Sequence, residues 1–160
     1  MVQKILIFKL ILFILLFINN FVNAKTFTGK AKIIDGDTIH INSNKIRLHG
    51  IDAPETDQKC IFKKKEWFCG RQATKELKKL IKNKIIKCEV NDIDIYNRYV
   101  AICFIDHIDL NKLMVKNGWA IAYRYYSTDY IAEENHAREN KLGIWKGEFL
   151  SPYIYRKKKQ

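Results

Sequence analysis

Apolar and polar residues alternate between Ile33 and Leu48, which is the pattern of strands that bury one face. Ile39 and Ile41 share one face, and the alternation resumes at Ile46 after a polar break. Turn signals rich in Asp, Gly and Asn separate these segments. We therefore predict strands near 27–34, 37–42 and 45–50, followed by a loop through about residue 69.

Apolar residues recur at helical spacing after this loop. A helix is predicted over about 71–82, because its apolar residues fall on one face and its lysines on the other. Asp109 is suited to cap a second, short helix, which Gly118 ends. A last helix is predicted over about 129–141.

Two further strands, near 86–92 and 98–105, are predicted to form a hairpin. The elements together indicate an α+β fold in which five short strands and about three helices form a small mixed β-barrel. A chain of 160 residues is long enough for one domain with its own core, and it contains no internal repeat.

Residues 1–24 have the features of a secretory signal peptide. A basic residue precedes the apolar run from Ile5 to Ile18, and Val22-Asn23-Ala24 resembles a cleavage site. The run is short for a membrane span and is interrupted by Lys9. We predict a mature domain of residues 25–160 that is secreted or periplasmic, with no stable membrane span after cleavage. The alternative is an uncleaved N-terminal membrane anchor.

The chain carries a formal net charge of +12 at pH 7. This charge fits a polyanionic partner, which would be attracted through its phosphates without regard to sequence. Many of the lysines, however, lie along one predicted helix or in short runs, as in a solvated helix face or a membrane-surface domain. Charge alone therefore does not separate these classes of protein.

The four cysteines favour disulfides, because their number is even and a signal peptide precedes them. Of the three connectivities, we favour Cys60–Cys69, which closes the long loop, and Cys88–Cys103, which staples the predicted hairpin. Zinc is the competing interpretation, but no C-x-x-C pair is present.

Candidate chemistry is concentrated in the first three strands and just beyond them. The residues are four acids and one arginine: Asp35, Asp37, Arg47, Asp52 and Glu55. Carboxylates that converge from two loop ends suit a hard cation such as Ca²⁺. An arginine beside them suits a phosphate. The alternative is that the aspartates only form turns, in Asp-Gly-Asp and Asp-Ala-Pro.

These residues also carry a resemblance. D-G-D-T at 35–38 and R-L-H-G-I-D-A-P-E at 47–55 resemble the staphylococcal nuclease-like (thermonuclease) family. The similarity resumes at D-I-Y-N-R (94–98), A-Y-R-Y (122–125) and K-L-G-I-W (141–145). The motifs occur in the family's order and span about residues 27–150.

The resemblance implies an OB-fold and a Ca²⁺ site. Asp37 and Asp52 would bind the ion through their carboxylates, and Ala53 would contribute its backbone carbonyl. Glu55 would hold a water in the second shell of ligands.

The resemblance also implies catalytic roles. Glu55 would orient, and deprotonate, the attacking water. Arg47 and Arg98 would bind the phosphate with paired donors, which a lysine does not offer. Taken alone, Arg98 would be interpreted as a solvated hairpin residue.

Three tyrosines, Tyr96, Tyr123 and Tyr125, match family positions that contact the nucleotide. Aromatic faces stack on any base, so they suit single strands without sequence preference. The alternative for these rings is ordinary packing. Two departures from the family bear on substrate affinity: Ile95 replaces a basic residue, and the 56–70 loop is predicted to be disulfide-bound.

The resemblance predicts a Ca²⁺-dependent endonuclease that cuts DNA and RNA, prefers single strands, leaves 3′-phosphate ends and acts as a monomer. The alternative is a non-catalytic OB-fold module that binds nucleic acid at the cell surface. Retention of Arg47, Glu55 and Arg98 favours the enzyme, because a binding module needs no such glutamate.

Overall fold

The computed structural model describes residues 25–159. The predicted signal peptide, residues 1–24, lies outside the described residues. No helix within the described range is long and apolar enough to cross a membrane.

The described residues form strands, α-helices and one short 3₁₀ helix, Gly143–Lys146. The strands are β1 (Thr26–Ile33), β2 (Thr38–Ile41), β3 (Asn44–Leu48), β4 (Ile51–Asp52), β5 (Cys60–Phe62), β6 (Lys65–Trp67), β7 (Ile85–Ile93), β8 (Tyr99–Ile105), β9 (Ile108–Asp109) and β10 (Ile121–Ala122). The helices are α1 (Cys69–Ile81), α2 (Leu110–Lys116), α3 (Ile131–Glu139) and α4 (Pro152–Lys159).

Five of the strands close into a mixed barrel. Strands β3, β2, β1, β7 and β8 are neighbours in that order and pair antiparallel. The parallel pairing of β3 with β8, which sets Ile46 opposite Tyr99, closes the ring. This architecture confirms the predicted α+β fold and its five-stranded OB-type barrel.

The core lies inside the barrel and beneath two helices. The inward residues of the strands are fully buried, as the alternation of apolar residues predicted; they include Ile39, Ile41, Ile46 and Leu48. Leu77 of α1 and Met114 of α2 join the same buried cluster. Asp109 caps α2, since its side chain accepts a hydrogen bond from the backbone amide of Lys112.

Three hairpins in the structure turn through two residues, and both residues have positive φ in each turn. The turns are Asn42-Ser43, Lys63-Lys64 and Asp106-His107. This geometry is that of the type I′ turn, whose twist matches the twist of the flanking strands. Asn and Asp tolerate the left-handed conformation well, whereas two consecutive lysines do so only at a cost.

Both predicted disulfides are confirmed. Cys60–Cys69 joins β5 to the first residue of α1, and Cys88–Cys103 joins directly opposed residues of β7 and β8. The described chain contains no free cysteine. A bulge between Val90 and Asp92 shifts the register of the hairpin nearer its turn, beyond the disulfide.

The structure differs from the sequence prediction in two segments. The predicted loop up to residue 69 contains the β5–β6 hairpin, whose Lys63-Lys64 turn has none of the usual turn residues. A fourth helix, α4, was not predicted, because its basic residues resemble a solvated tail. Pro152 occupies its first position, where a missing amide donor costs nothing, and this was the available signal.

Candidate active site

Arg47 on β3 links two of the predicted acids. One of its guanidinium nitrogens contacts Asp37 Oδ1, and the other lies 2.9 Å from Asp52 Oδ1. The same nitrogen donates to the backbone carbonyl of Ile51 at 3.2 Å. Arg47 is largely buried, as are both carboxylates. The two aspartates therefore converge on one side of the barrel, as the sequence predicted.

The turn before β2 sets the position of Asp37. Its backbone carbonyl accepts a hydrogen bond from Leu48, and its Oδ2 accepts one from the amide of Ala53 at 2.8 Å. A Cβ at Gly36 would lie 2.6 Å from that of Ala53, so only glycine permits this approach. The backbone of this turn thus packs directly against the Ala53 side chain.

A short strand pair brings the A-Y-R-Y motif (122–125) to the same place. Ile121 of β10 pairs with Asp52 of β4, and the amide of Tyr123 donates to the carbonyl of Gly50 at 2.8 Å. Burial and the nearby charge of Asp52 raise the pKa of Tyr123 above its ordinary value. Tyr123 therefore lies within electrostatic reach of the acids.

Glu55 is held by its backbone while its side chain stays accessible. Its amide donates to the side chain of Gln58, and its carbonyl accepts from the amide of Gln58 at 2.7 Å. A Cβ at Gly70 would lie 1.6 Å from the carbonyl oxygen of Glu55, so α1 begins in direct contact with this loop. The Glu55 side chain keeps 34% of its surface exposed.

Arg156 of α4 completes the cluster, and sequence analysis missed it. Its two terminal nitrogens bind both carboxylate oxygens of Asp52, at 3.0 and 3.1 Å. One of them also binds Glu55 Oε1 at 2.8 Å. Lys159, one turn further along α4, contacts the Asp57 carboxylate. No local pattern predicts a contact between residues 104 positions apart.

The acids have different electrostatic states. Burial raises the pKa of Asp52, and the Asp37 charge adds to that rise against the opposing effect of Arg156 and Arg47. Burial acts the same way on Asp37, but Arg47 outweighs it and holds that pKa below its usual value. Burial and the charge of Asp37 raise the pKa of Asp35 to about 6. Asp37 and Asp52 thus share the positive charge of Arg47, whereas Asp35 does not.

The site offers few protein ligands to a metal ion. Across residues 25–159, no group of three or more His, Cys, Asp or Glu side chains is arranged to hold one. The predicted ligand set needs only the carboxylates of Asp37 and Asp52 and the Ala53 carbonyl, with water supplying the rest. These are hard oxygen donors, and the two carboxylates repel each other, so the residues fit Ca²⁺.

Arg98 immediately precedes β8, beyond the hairpin turn. Its Nε lies 2.7 Å from Asp94 Oδ2, and its backbone amide donates to the other carboxylate oxygen. The β3–β8 register sets Arg47 opposite Val100, and Arg98 precedes Val100 by two residues. The amide of Asp94 donates to the carbonyl of Arg98, which continues the β7–β8 ladder by one residue. With side chains alternating along this extended segment, Arg98 falls on the same face of the sheet as Arg47.

The predicted tyrosines fall into two groups. Tyr96 lies at the exposed hairpin tip, with the guanidinium of Arg98 5.5 Å from its ring. Tyr123 and Tyr125 pack together with Tyr126, which sequence analysis left without a role. The rings of Tyr125 and Tyr126 meet edge to face at 4.8 Å and remain exposed. All three tyrosines lie within residues 123–126, and this close spacing could have indicated that Tyr126 belongs to the same group.

The barrel defines an OB-fold protein, and the arginine–carboxylate cluster lies where its strands and C-terminal helix meet. Residues 45–147 match the family described as "Staphylococcal nuclease homologue". The match covers more than half of the sequence, and the chain therefore belongs to the staphylococcal nuclease family. Family membership makes it a hydrolytic nuclease.

Curated relatives support this assignment. An "Uncharacterized endonuclease" of Escherichia coli O157:H7 is 32% identical over 136 residues, covering 80% of this chain and 83% of the relative. A "Micrococcal nuclease" of Shigella flexneri is 30% identical over 131 residues, covering 71% and 70%. "Succinoglycan biosynthesis protein ExoI" of Rhizobium meliloti is 31% identical over 132 residues, covering 78% and 68%.

Proposed function

We propose that this protein is a secreted or periplasmic, Ca²⁺-dependent endonuclease that hydrolyses DNA and RNA with little sequence preference. The observation that carries the proposal is the convergence of Asp37 and Asp52 on Arg47, with Glu55 beside them. An acid pair for a cation, an arginine for a phosphate and an accessible glutamate are the parts that metal-assisted phosphodiester hydrolysis requires.

In this proposal Asp37, Asp52 and the Ala53 carbonyl hold the ion. Bound Ca²⁺ would polarise a phosphate oxygen and so favour attack at phosphorus. Glu55 orients the attacking water and accepts its proton, which its accessible side chain allows. Its backbone is fixed by Gln58 and Gly70, so the carboxylate is directed without being buried.

Arg47 and Arg98 bind the phosphate with paired donors. Their position on one sheet face supports this role, because one phosphate can then meet both guanidiniums. Their charge stabilises the oxygens on which negative charge grows in the transition state. Resemblance to the family extends the proposal to cleavage of the 5′ P–O bond, which leaves 3′-phosphate ends.

The exposed rings of Tyr96 and Tyr125 are proposed to stack on unpaired bases, with Tyr123 nearer the phosphate. Stacking depends little on base identity, so it supports a preference for single strands. The two disulfides support an oxidising compartment, in agreement with the proposed signal peptide. The active unit is proposed to be a monomer.

One assay tests the proposal. The chain of residues 25–160 is incubated with single-stranded DNA, plasmid and RNA, in CaCl₂ or in excess chelator. We expect cleavage with calcium only, with faster cleavage of single strands, and products that carry a 5′-hydroxyl and a 3′-phosphate. Glu55→Gln should remove most activity, whereas Glu139→Gln on α3 serves as the charge-matched control.

Tight binding of single-stranded DNA without calcium-stimulated cleavage would overturn the enzyme proposal. That result would favour the binding-module alternative. Equal cleavage with and without chelator would overturn the calcium requirement alone.

A further inference from the structure

The C-terminal helix places a positive charge directly on the proposed metal and water residues. Arg156 binds both oxygens of Asp52 and one oxygen of Glu55. Asp52 is completely buried, so its charge requires a partner within the protein. In this structure Arg156, together with Arg47, supplies that positive charge.

We infer that Arg156 is an internal competitor for the cation: it neutralises Asp52 and Glu55 in the metal-free protein and leaves them when Ca²⁺ binds. The inference rests on the proposed calcium site. Helix α4 would then act as a latch that keeps the resting site closed. Nothing in the family motifs, which end before this helix, predicts such a role.

Arg156 and a cation would compete for the same carboxylate, that of Asp52. Asp52 Oδ1 already accepts from Arg47 and Arg156, and Oδ2 accepts from Arg156. Both hydrogen bonds on Oδ1 leave Oδ2 as the oxygen with a lone pair to spare, and a divalent ion bound there would lie beside the Arg156 guanidinium, which would repel it. The contact of Arg156 with Glu55 likewise occupies one of the two oxygens that could hold the water.

The contact of Arg156 with the two acids is exposed enough to break. The Arg156 side chain is 36% exposed, and Tyr153 and Ile154 on the same helix are about as exposed. A cavity of about 240 Å³ lies beside the contact, lined by Glu55, Asp57, Tyr155, Arg156 and Lys159. This space has room for several waters, so an ion can approach Glu55 while α4 is docked.

The anchor of the helix lies at its other end. Pro152 is buried, and the carbonyl of Leu150 accepts a hydrogen bond from the buried Gln58 at 2.8 Å. The basic end is held at the site by Arg156 and by the exposed pair of Lys159 with Asp57. Release of these ion pairs would let the basic end move while the segment at Pro152 remains in place.

The first experiment measures calcium affinity without substrate. Calorimetric titration with CaCl₂ compares the wild-type chain, Arg156→Gln and Lys158→Gln. The control removes the same charge from an exposed position on the same helix. We expect Arg156→Gln to bind calcium about tenfold more tightly or better, because no ion pair has to break first. Lys158→Gln should change affinity by less than about twofold.

The second experiment uses only the wild-type chain and does not depend on the folding of a variant. Hydrogen–deuterium exchange of residues 152–159 is measured with and without calcium. We expect faster exchange with calcium, because the basic end of the helix is released.

The outcomes separate the inference from the proposed function. Calcium binding by the wild type, with unchanged or weaker affinity in Arg156→Gln, would overturn the latch and leave the calcium site standing. Unchanged or slower exchange in residues 152–159 would also overturn it. A wild type that binds no calcium would overturn both the proposed metal site and the latch.

Discussion

Asp94 accepts two hydrogen bonds from Arg98, one from its backbone amide at 2.9 Å and one from Nε at 2.7 Å. Burial acts to raise the pKa of Asp94, but the hydrogen bonds and charge of Arg98 outweigh it and keep that pKa below its ordinary value. The carboxylate therefore stays ionised at neutral pH. One terminal nitrogen of the guanidinium also lies 2.7 Å from Asp94 Oδ2, so the other terminal nitrogen is the one left to face a substrate.

Arg98→Lys is expected to lower kcat by about two orders of magnitude, the scale that follows loss of one transition-state donor. Affinity for single-stranded DNA should fall much less, because the lysine keeps the charge that attracts phosphates. Single-turnover cleavage and a binding titration measure the two effects. The matched control is Arg71→Lys. Arg71 lies on α1, and its guanidinium lies over the ring of Phe68. Equal losses in binding and turnover would show instead that Arg98 serves ground-state recognition.

Asp37→Asn is expected to abolish calcium-dependent cleavage and to weaken calcium binding by about tenfold or more, since a carboxylate ligand becomes a neutral amide. Asparagine keeps one side-chain oxygen, which can accept from the Ala53 amide, and Arg47 keeps Asp52 as its partner, so the fold should survive. Calorimetry with CaCl₂ and circular dichroism measure the two properties. Asp106→Asn in the β8–β9 turn is the control. Unchanged calcium affinity in a folded Asp37→Asn variant would rule out Asp37 as a ligand.

Asp35 is expected to make the metal-free protein less stable as pH rises. Its pKa is raised to about 6 from an ordinary 3.8, so between these values the folded state binds the extra proton. Stability therefore falls from about pH 4 to about pH 6, by on the order of 2–3 kcal/mol from this group. Urea unfolding in chelator compares the wild type with Asp35→Asn. A stability difference between the two that does not change over this pH range would contradict the expectation.

The Cys88–Cys103 bridge is expected to contribute about 3 kcal/mol to the free energy of unfolding, the scale for a loop of about 15 residues. The double substitution Cys88→Ala/Cys103→Ala should lower urea stability by about this amount. Thiol titration of the denatured, unreduced wild type should find no free thiol. A loss below about 1 kcal/mol would show that the barrel needs no staple at this hairpin.

Local sequence signals determined most of the barrel. The alternation around Ile39 and Ile46 places those residues inside. Cys88 and Cys103 oppose each other in the predicted hairpin, although the bulge between Val90 and Asp92 sets their final register. Asp109 caps α2 as its position predicts. Each of these features depends on residues close together in the chain, where spacing alone fixes the geometry.

Features that depend on long-range packing could not be predicted. The contact of Arg156 with Asp52 joins residues 104 apart, and its basic neighbours resemble an exposed tail. The Lys63-Lys64 turn lacks any residue that favours positive φ, so its hairpin gave no turn signal. The tertiary structure stabilises both features, and a single sequence carries no local trace of them.

The Cys60–Cys69 bridge ends one residue before Gly70, whose backbone is packed against Glu55. Where thiols are kept reduced, this staple would be missing and the glutamate would lose part of its support. If the chain is exported as proposed, it would then be least competent inside the cell, among the producer's own nucleic acids, and would gain full activity only outside. Cleavage rates of the oxidised protein and a Cys60→Ala/Cys69→Ala variant test this; equal rates would contradict it.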